Sequence, residues 1–155
     1  MSIIDRTRDV LRDQLANGEI LHAATQAQLD GGTMRLASRV GAGAAGGAIG
    51  VAMTIGDDAD ELGRLLANGL VLAVTDRRVI LLDVTAVAAR PKSVVANIDR
   101  AKITDVVTGD KRVMLVKLST LALSIGTAPD EQILRFEIPK TARSDAEAVA
   151  EALRS

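Results

Sequence analysis

Val71-Leu72-Ala73-Val74-Thr75-Asp76-Arg77-Arg78-Val79-Ile80-Leu81-Leu82-Asp83-Val84 reads as two apolar strands joined by a tight polar turn. Short apolar runs bounded by turn residues are the signature of strands in a buried sheet. The stretch points to a small β-barrel and carries no chemistry of its own.

Downstream the β pattern continues. Leu70 to Val74 and Val79 to Val84 form the hairpin, and Pro91 sits in a loop before a strand from Ser93 to Asn97. Ile103 to Thr108 and Lys111 to Leu118 flank Gly109-Asp110, which reads as a hairpin turn. Leu121, Leu123 and Ile125 alternate, as do Leu134, Phe136 and Ile138, with Ala128-Pro129-Asp130 as the turn between them. Whether Lys111 to Thr127 is one bent strand or two stays open. Ser144, with Glu147 in capping-box register, starts a terminal helix with Ala146, Val149, Ala150 and Leu153 on its apolar face.

Upstream, Ser2 and Asp5 form a capping box for a helix that presents Ile3, Ile4, Val10, Leu11 and Leu15, with Asn17-Gly18 as its stop. Glu19 to Leu29 reads as the first strand, ended by Gly31-Gly32. A long excursion follows, from Gly31 to Gly69. Its centre, Val40 to Met53, is built of small apolar residues; Asp57 and Asp58 then cap a helix bearing Leu62, Leu65 and Leu66, closed by Asn68-Gly69. There is no βαβ alternation, internal repeat or dividing linker. Strands followed by one helix suggest a partly open antiparallel barrel plugged by that helix.

The totals narrow the function. The chain has 155 residues, enough for one domain with a sizeable core. Only 1% of it is aromatic, with Phe136 the single ring, so stacking platforms for single-stranded nucleic acid are nearly absent. Net charge is −1 with no basic block, which argues against a phosphate-tracking surface and hence against a nucleic-acid partner. No cysteine is present, which removes disulfides, thiolate nucleophiles and Cys-ligated zinc. The N-terminus lacks the apolar core of a signal peptide, so the expected location is cytoplasmic.

Gly18-Glu19-Ile20-Leu21 opening the first strand, the central Val74 to Leu82, the passage from Ile98-Asp99 into Ile103-Thr104-Asp105-Val106, and Gly126 to Ile138 before a terminal helix together resemble the bacterial pleckstrin-homology-like family, close in fold to GRAM and PH domains. The resemblance covers residues 18–154. It implies a mainly β (α+β) fold: an antiparallel barrel of about seven strands capped by a C-terminal helix (144–154). Here it carries an added N-terminal helix (1–17) and a Gly-rich helical insertion between strands 1 and 2 (30–69), all within a single domain, 1–155. The insertion is much longer than the family's usual loop. The terminal helix also lacks the Trp found in eukaryotic PH domains, so phosphoinositide binding does not carry over directly.

Several motifs mimic sites. Gly41-Ala42-Gly43-Ala44-Ala45-Gly46 matches a dinucleotide loop literally, but antiparallel hairpins follow it instead of parallel strands alternating with helices. Gly43/Gly47 and Gly46/Gly50 are G-x-x-x-G pairs suited to close helix packing. As a helix, Val40 to Gly56 would span about 25 Å, short of the ~30 Å hydrocarbon core. A packing helix, a flexible loop and a membrane-dipping wedge remain open for it. His22, the single histidine, has no partner set at diagnostic spacing and reads as a surface or half-buried strand residue. Asp57, Asp58, Asp60 and Glu61 lack EF-hand spacing and suit a helix start. Arg77-Arg78 reads as a solvated turn or a partner for a nearby Asp. By the resemblance, ligand loops lie at the opposite end of the barrel: the excursion, Thr85 to Lys92, and Thr127 to Glu131. There Arg35, Arg39, Arg64, Arg90 and Lys92 are candidates for binding an anionic headgroup or acidic peptide.

The expected function is a non-catalytic binding or assembly module without cofactor or metal. It would associate with itself or with a protein partner through Gly43, Gly47, Ile49, Gly50, Val51 and Met53. The alternative is peripheral attachment to anionic membrane through the insertion and the basic loops.

Overall fold

The structure, a computed structural model, describes residues 2–29, 54–55, 69–85, 90–126 and 131–155. In chain order these form α1 (Ile3–Leu11), β1 (Leu21–Leu29), β2 (Thr54–Ile55), β3 (Leu70–Thr75), β4 (Arg78–Val84), β5 (Pro91–Asp99), β6 (Ile103–Val113), β7 (Val116–Ile125), β8 (Gln132–Pro139) and α2 (Arg143–Arg154). Short 3-10 turns, Arg100–Lys102 and Lys140–Ala142, precede β6 and α2. All strand pairs are antiparallel, in the order β2-β5-β4-β3-β1-β8-β7-β6.

β1 joins the two halves of this meander. Ala23 to Ala27 pair with β3, while Gln28 and Leu29 pair with Glu137 and Phe136 of β8. The halves enclose one core containing Leu72, Val74, Leu81, Ile98, Leu123, Leu134, Phe136 and Ile138, and Ala146, Val149 and Ala150 of α2 close it. The opposite face of β1, β3 and β4 presents Ala24, Val71, Ala73, Ile80 and Leu82, covered by Leu11 with Ile3, Ile4 and Val10 of α1. This double cover explains the opening hairpin. β3 is buried at every position, so it reads as a continuous apolar run and not an alternating one.

The termini follow sequence chemistry unevenly. Ser2 and Asp5 do form the capping box of α1. The helix nevertheless ends at Leu11, before Asn17-Gly18, and Gly18 supplies a left-handed residue (φ +79°) in the turn into β1. Ser144 does not cap α2: the turn Lys140–Ala142 runs directly into the helix, which starts at Arg143 with Ala142 at the cap position. Pro91 is not in the loop but begins β5, buried and paired with Val84.

The largest departure concerns Gly109-Asp110. These residues lie within β6, opposite Thr120 and Ser119, and the chain reverses at Met114-Leu115. The pairing of β7 with β8 fixes the register by aligning Leu121, Leu123 and Ile125 with Phe136, Leu134 and Gln132. A single long β7 strand from Val116 then demands a partner as long, and local turn preference gives way. Gly109 fits mid-strand because a Cβ there would stand 3.1 Å from the Thr120 hydroxyl. The open question about Lys111 to Thr127 resolves accordingly: Lys111 to Val113 finish β6, and β7 is one strand to Ile125.

The Gly-rich segment falls outside the described residues except for Thr54–Ile55. That pair forms a strand along Asn97 and Ala96 of β5, so a helix does not run through to Gly56. The helix expected over Leu62 to Leu66, the acid run from Asp57 to Glu61 and the turn at Ala128-Pro129-Asp130 also lie outside the described residues.

Candidate functional site

Among the described residues, two hairpins bring charged groups together. At the β3–β4 turn, Glu19 is drawn into the fold with its side chain 1% exposed. Arg78 Nε donates to Glu19 Oε1 at 2.9 Å and Nη2 to Oε2 at 3.3 Å, the Thr75 hydroxyl donates to Oε1 at 2.8 Å, and the Ala16 N–H donates to Oε2 at 2.8 Å. Arg78 also donates to Asn97 Oδ1 and to the Gln14 carbonyl, each at 2.9 Å. Burial alone pushes the Glu19 carboxyl up, but the bonds from Arg78, Ala16 and Thr75, with the arginine's charge, hold it below the ordinary carboxylate range. Both groups are fully engaged. The surface depression over them, about 630 Å³, is lined by Glu19, Arg78 and Asn97, which are bonded to one another, and by Arg77, Asp99 and Lys102. The Arg78 partner is thus Glu19, and not the adjacent Asp76, which instead accepts from the Ile20 N–H at 2.9 Å.

Arg100 extends this knot to α2. Its Nη2 donates to the Ala152 carbonyl at 2.9 Å and its Nη1 to the Thr75 carbonyl at 3.2 Å, so one cation closes the helix C-terminus and ties it to the hairpin. The Arg100 N–H bonds the Arg77 carbonyl, and the Gly126 N–H bonds the Lys102 carbonyl. Gly126, where the loop to Glu131 begins, therefore sits at the Arg77 end of the barrel and not opposite it.

Of the candidate cations, Arg90 and Lys92 are exposed at the β4–β5 connection, which the Thr85 N–H closes onto the Arg90 carbonyl at 2.9 Å. Arg35, Arg39 and Arg64 lie outside the described residues, as do Gly43, Gly47, Ile49, Gly50, Val51 and Met53. His22 is exposed on β1, where the pairing to β3 shifts register between Leu21 and Ala23. Among the described residues no group of His, Asp or Glu side chains is placed to hold a metal.

The second place is one that the sequence reading passed over. β7 pairs with β8 only from Leu118 onward, so the β6–β7 hairpin overhangs the sheet. At its tip Met114 is 91% and Leu115 97% exposed, flanked by exposed Val113 and Val116. Arg112 and Lys117 face each other directly across the neck, a like-charge pair that costs stability. Among the described residues neither has an ion-pair partner. Below the overhang, a groove of about 510 Å³ opens between the hairpin and α2, with Leu121, Ile138 and Ala150 at its base and Asp110 and Glu151 among its polar residues. Runs such as Val-Met-Leu-Val normally signal core, and only the strand register shows that nothing within the described chain covers this one.

The strand order runs as one antiparallel meander, β1 is shared between two half-sheets, and a C-terminal helix lies against the enclosed core. The fold is PH-like. No protein-family model matches the chain, and no curated protein matches it. Among solved structures it is similar to the crystal structure of a pleckstrin homology domain from Shewanella amazonensis SB2B, at 13% identity, with 98% of this chain and 99% of that chain covered and a TM-score of 0.47. The described residues also include α1 on the outer sheet face, the edge strand β2 and the overhanging β6–β7 hairpin. No helix among the described residues is long and apolar enough to cross a membrane.

Proposed function

We propose that the chain is a non-catalytic PH-like binding and assembly module whose working surface is the β6–β7 hairpin. The observation that carries this is the exposed apolar tip from Val113 to Val116. Fully exposed Met and Leu side chains beside two unneutralised cations are costly in isolation and favourable at an interface. The two carboxylates buried among the described residues support a structural reading of the rest: Glu19 is engaged by Arg78, and Asp83 accepts from both the N–H and hydroxyl of Ser93 at 2.8 Å. Self-association is the first expectation. Solution mass across a concentration series should exceed the monomer and fall toward it on dilution, and Leu115→Asp should be monomeric at every concentration. A chain that is monomeric throughout removes the assembly reading. A Gly41–Gly56 deletion that becomes monomeric, with Leu115→Asp still associating, transfers the surface to the Gly-rich segment.

Arg112 and Lys117 beside the tip favour one second reading, peripheral attachment to anionic membrane. Flotation with anionic and neutral liposomes at low salt tests it: no flotation on either removes that reading. A cofactor found by mass spectrometry on the purified protein would overturn the non-catalytic assignment.

A further inference from the structure

β6 ends the sheet order, and β7 is its only strand partner among the described residues. Among the described residues its outer backbone edge is open over half its length. The two-residue turn makes Val113↔Val116 the closing hydrogen-bonded pair, so Val106, Thr108, Asp110 and Arg112 point their N–H and C=O groups away from β7. At Val106 the edge is closed from within: its N–H donates to Asp105 Oδ1 at 2.9 Å, and its carbonyl accepts from Arg154 Nη2 at 3.4 Å. That is how an edge is protected against pairing. At Thr108, Asp110 and Arg112 no such cover appears in the described structure, and Arg154 stops at the Thr108 hydroxyl, 3.3 Å away.

We infer that the open half of β6 pairs antiparallel with the same segment of a second copy, about a two-fold axis at Lys111. This rests on the assembly reading above and specifies its geometry. In this register Asp110 of each copy lies opposite Arg112 of the other, and each Met114 lies opposite the other copy's Thr108, beside the groove under α2. Outward-facing residues meet outward-facing residues, as an antiparallel ladder requires. The pairing gives each unpartnered Arg112 a carboxylate, relieves the Arg112–Lys117 repulsion and shelters both apolar tips. Other registers do less. Centring on Asp110 opposes the two Asp110 carboxylates, and centring closer to Val106 meets the edge that Asp105 and Arg154 have closed. Lys111 meets its own copy at the axis, and each carries Glu137 as counter-ion at 2.7 Å. The interface is isologous, so it closes as a dimer and does not propagate.

Charge reversal and a single-cysteine probe test this together. Arg112→Asp and Asp110→Arg should each weaken association about tenfold or more, because two like-charge contacts form per dimer, and the double swap should restore it. The chain has no cysteine. Lys111→Cys should therefore cross-link efficiently under mild oxidation, since directly opposed residues at a non-hydrogen-bonded site bring their Cβ atoms within disulfide reach. Val107→Cys, exposed on the same strand, should not. Circular dichroism on each variant confirms folding. Association that ignores both reversals, or equal cross-linking at 107 and 111, overturns the inference and leaves the assembly reading standing. A wild-type chain monomeric at all concentrations defeats both.

Discussion

The β3–β4 hairpin turns at Asp76-Arg77 and is buried on both faces up to its last pair, Val74 with Val79; the β6–β7 hairpin turns at Met114-Leu115 and is exposed from Gly109 to Lys117. Each carries an arginine close to its turn. Arg78 spends its donors on Glu19, Asn97 and the Gln14 carbonyl. Arg112 faces Lys117 with no counter-ion among the described residues. Similar local material has thus been put to opposite uses, one hairpin locking the fold and the other reaching out of it. A charged hairpin turn is no marker of a binding site until the destination of its charge is known.

The largest expected effect of breaking this contrast lies at the locked hairpin. Arg78→Gln leaves a buried carboxylate without its cation and should cost about 3 kcal/mol in urea unfolding. A loss under 1 kcal/mol would mean that the knot is incidental. The pH dependence sharpens the point. The folded pKa of Glu19 is depressed, so its contribution is complete above the unfolded value of about 4.3 and is lost as pH falls through the folded pKa. The stability gap between wild type and Arg78→Gln should therefore be widest at neutral pH and close below about pH 4. A gap independent of pH contradicts the assignment.

Val149→Ala, where α2 meets the core, should cost about 2 kcal/mol without altering association, because it removes two buried methyl groups far from the tip. Leu115→Ser should do the reverse: stability within about 0.5 kcal/mol of wild type, and association lost. The smallest effect should come from Met114→Gly. Met114 holds φ at 56°, a left-handed conformation that costs a side-chain-bearing residue, so glycine there should leave stability unchanged or raise it by about 0.5 kcal/mol. A loss above 1 kcal/mol would show that the Met114 side chain is packed in the monomer.

The locked hairpin was legible in the sequence because burial on both faces writes a continuous apolar run. The Ser2 cap was legible for a similar reason, its partner Asp5 lying within one helical turn. The Glu19–Arg78 knot was not, since it joins residues 59 positions apart and depends on how β1 meets the β3–β4 turn. The second hairpin was misread at Gly109-Asp110 because turn chemistry is local, while the position of a turn in a long hairpin is set by the register of the strands beside it. Met114-Leu115 carries no Gly, Asn, Asp or Pro to advertise a reversal. Its exposure was equally hidden, because Val, Met and Leu read as core whenever the cover is not known.

Backbone hydrogen exchange, recorded residue by residue at low and at high protein concentration, tests the contrast between the hairpins most directly. The amides of β3 and β4 should be slow and independent of concentration. The outward amides of Thr108, Asp110 and Arg112 should exchange fast when dilute and become protected when concentrated. If they stay fast at every concentration, or are already as slow as β3 in dilute solution, the outer edge of β6 is not an interface between copies of this protein.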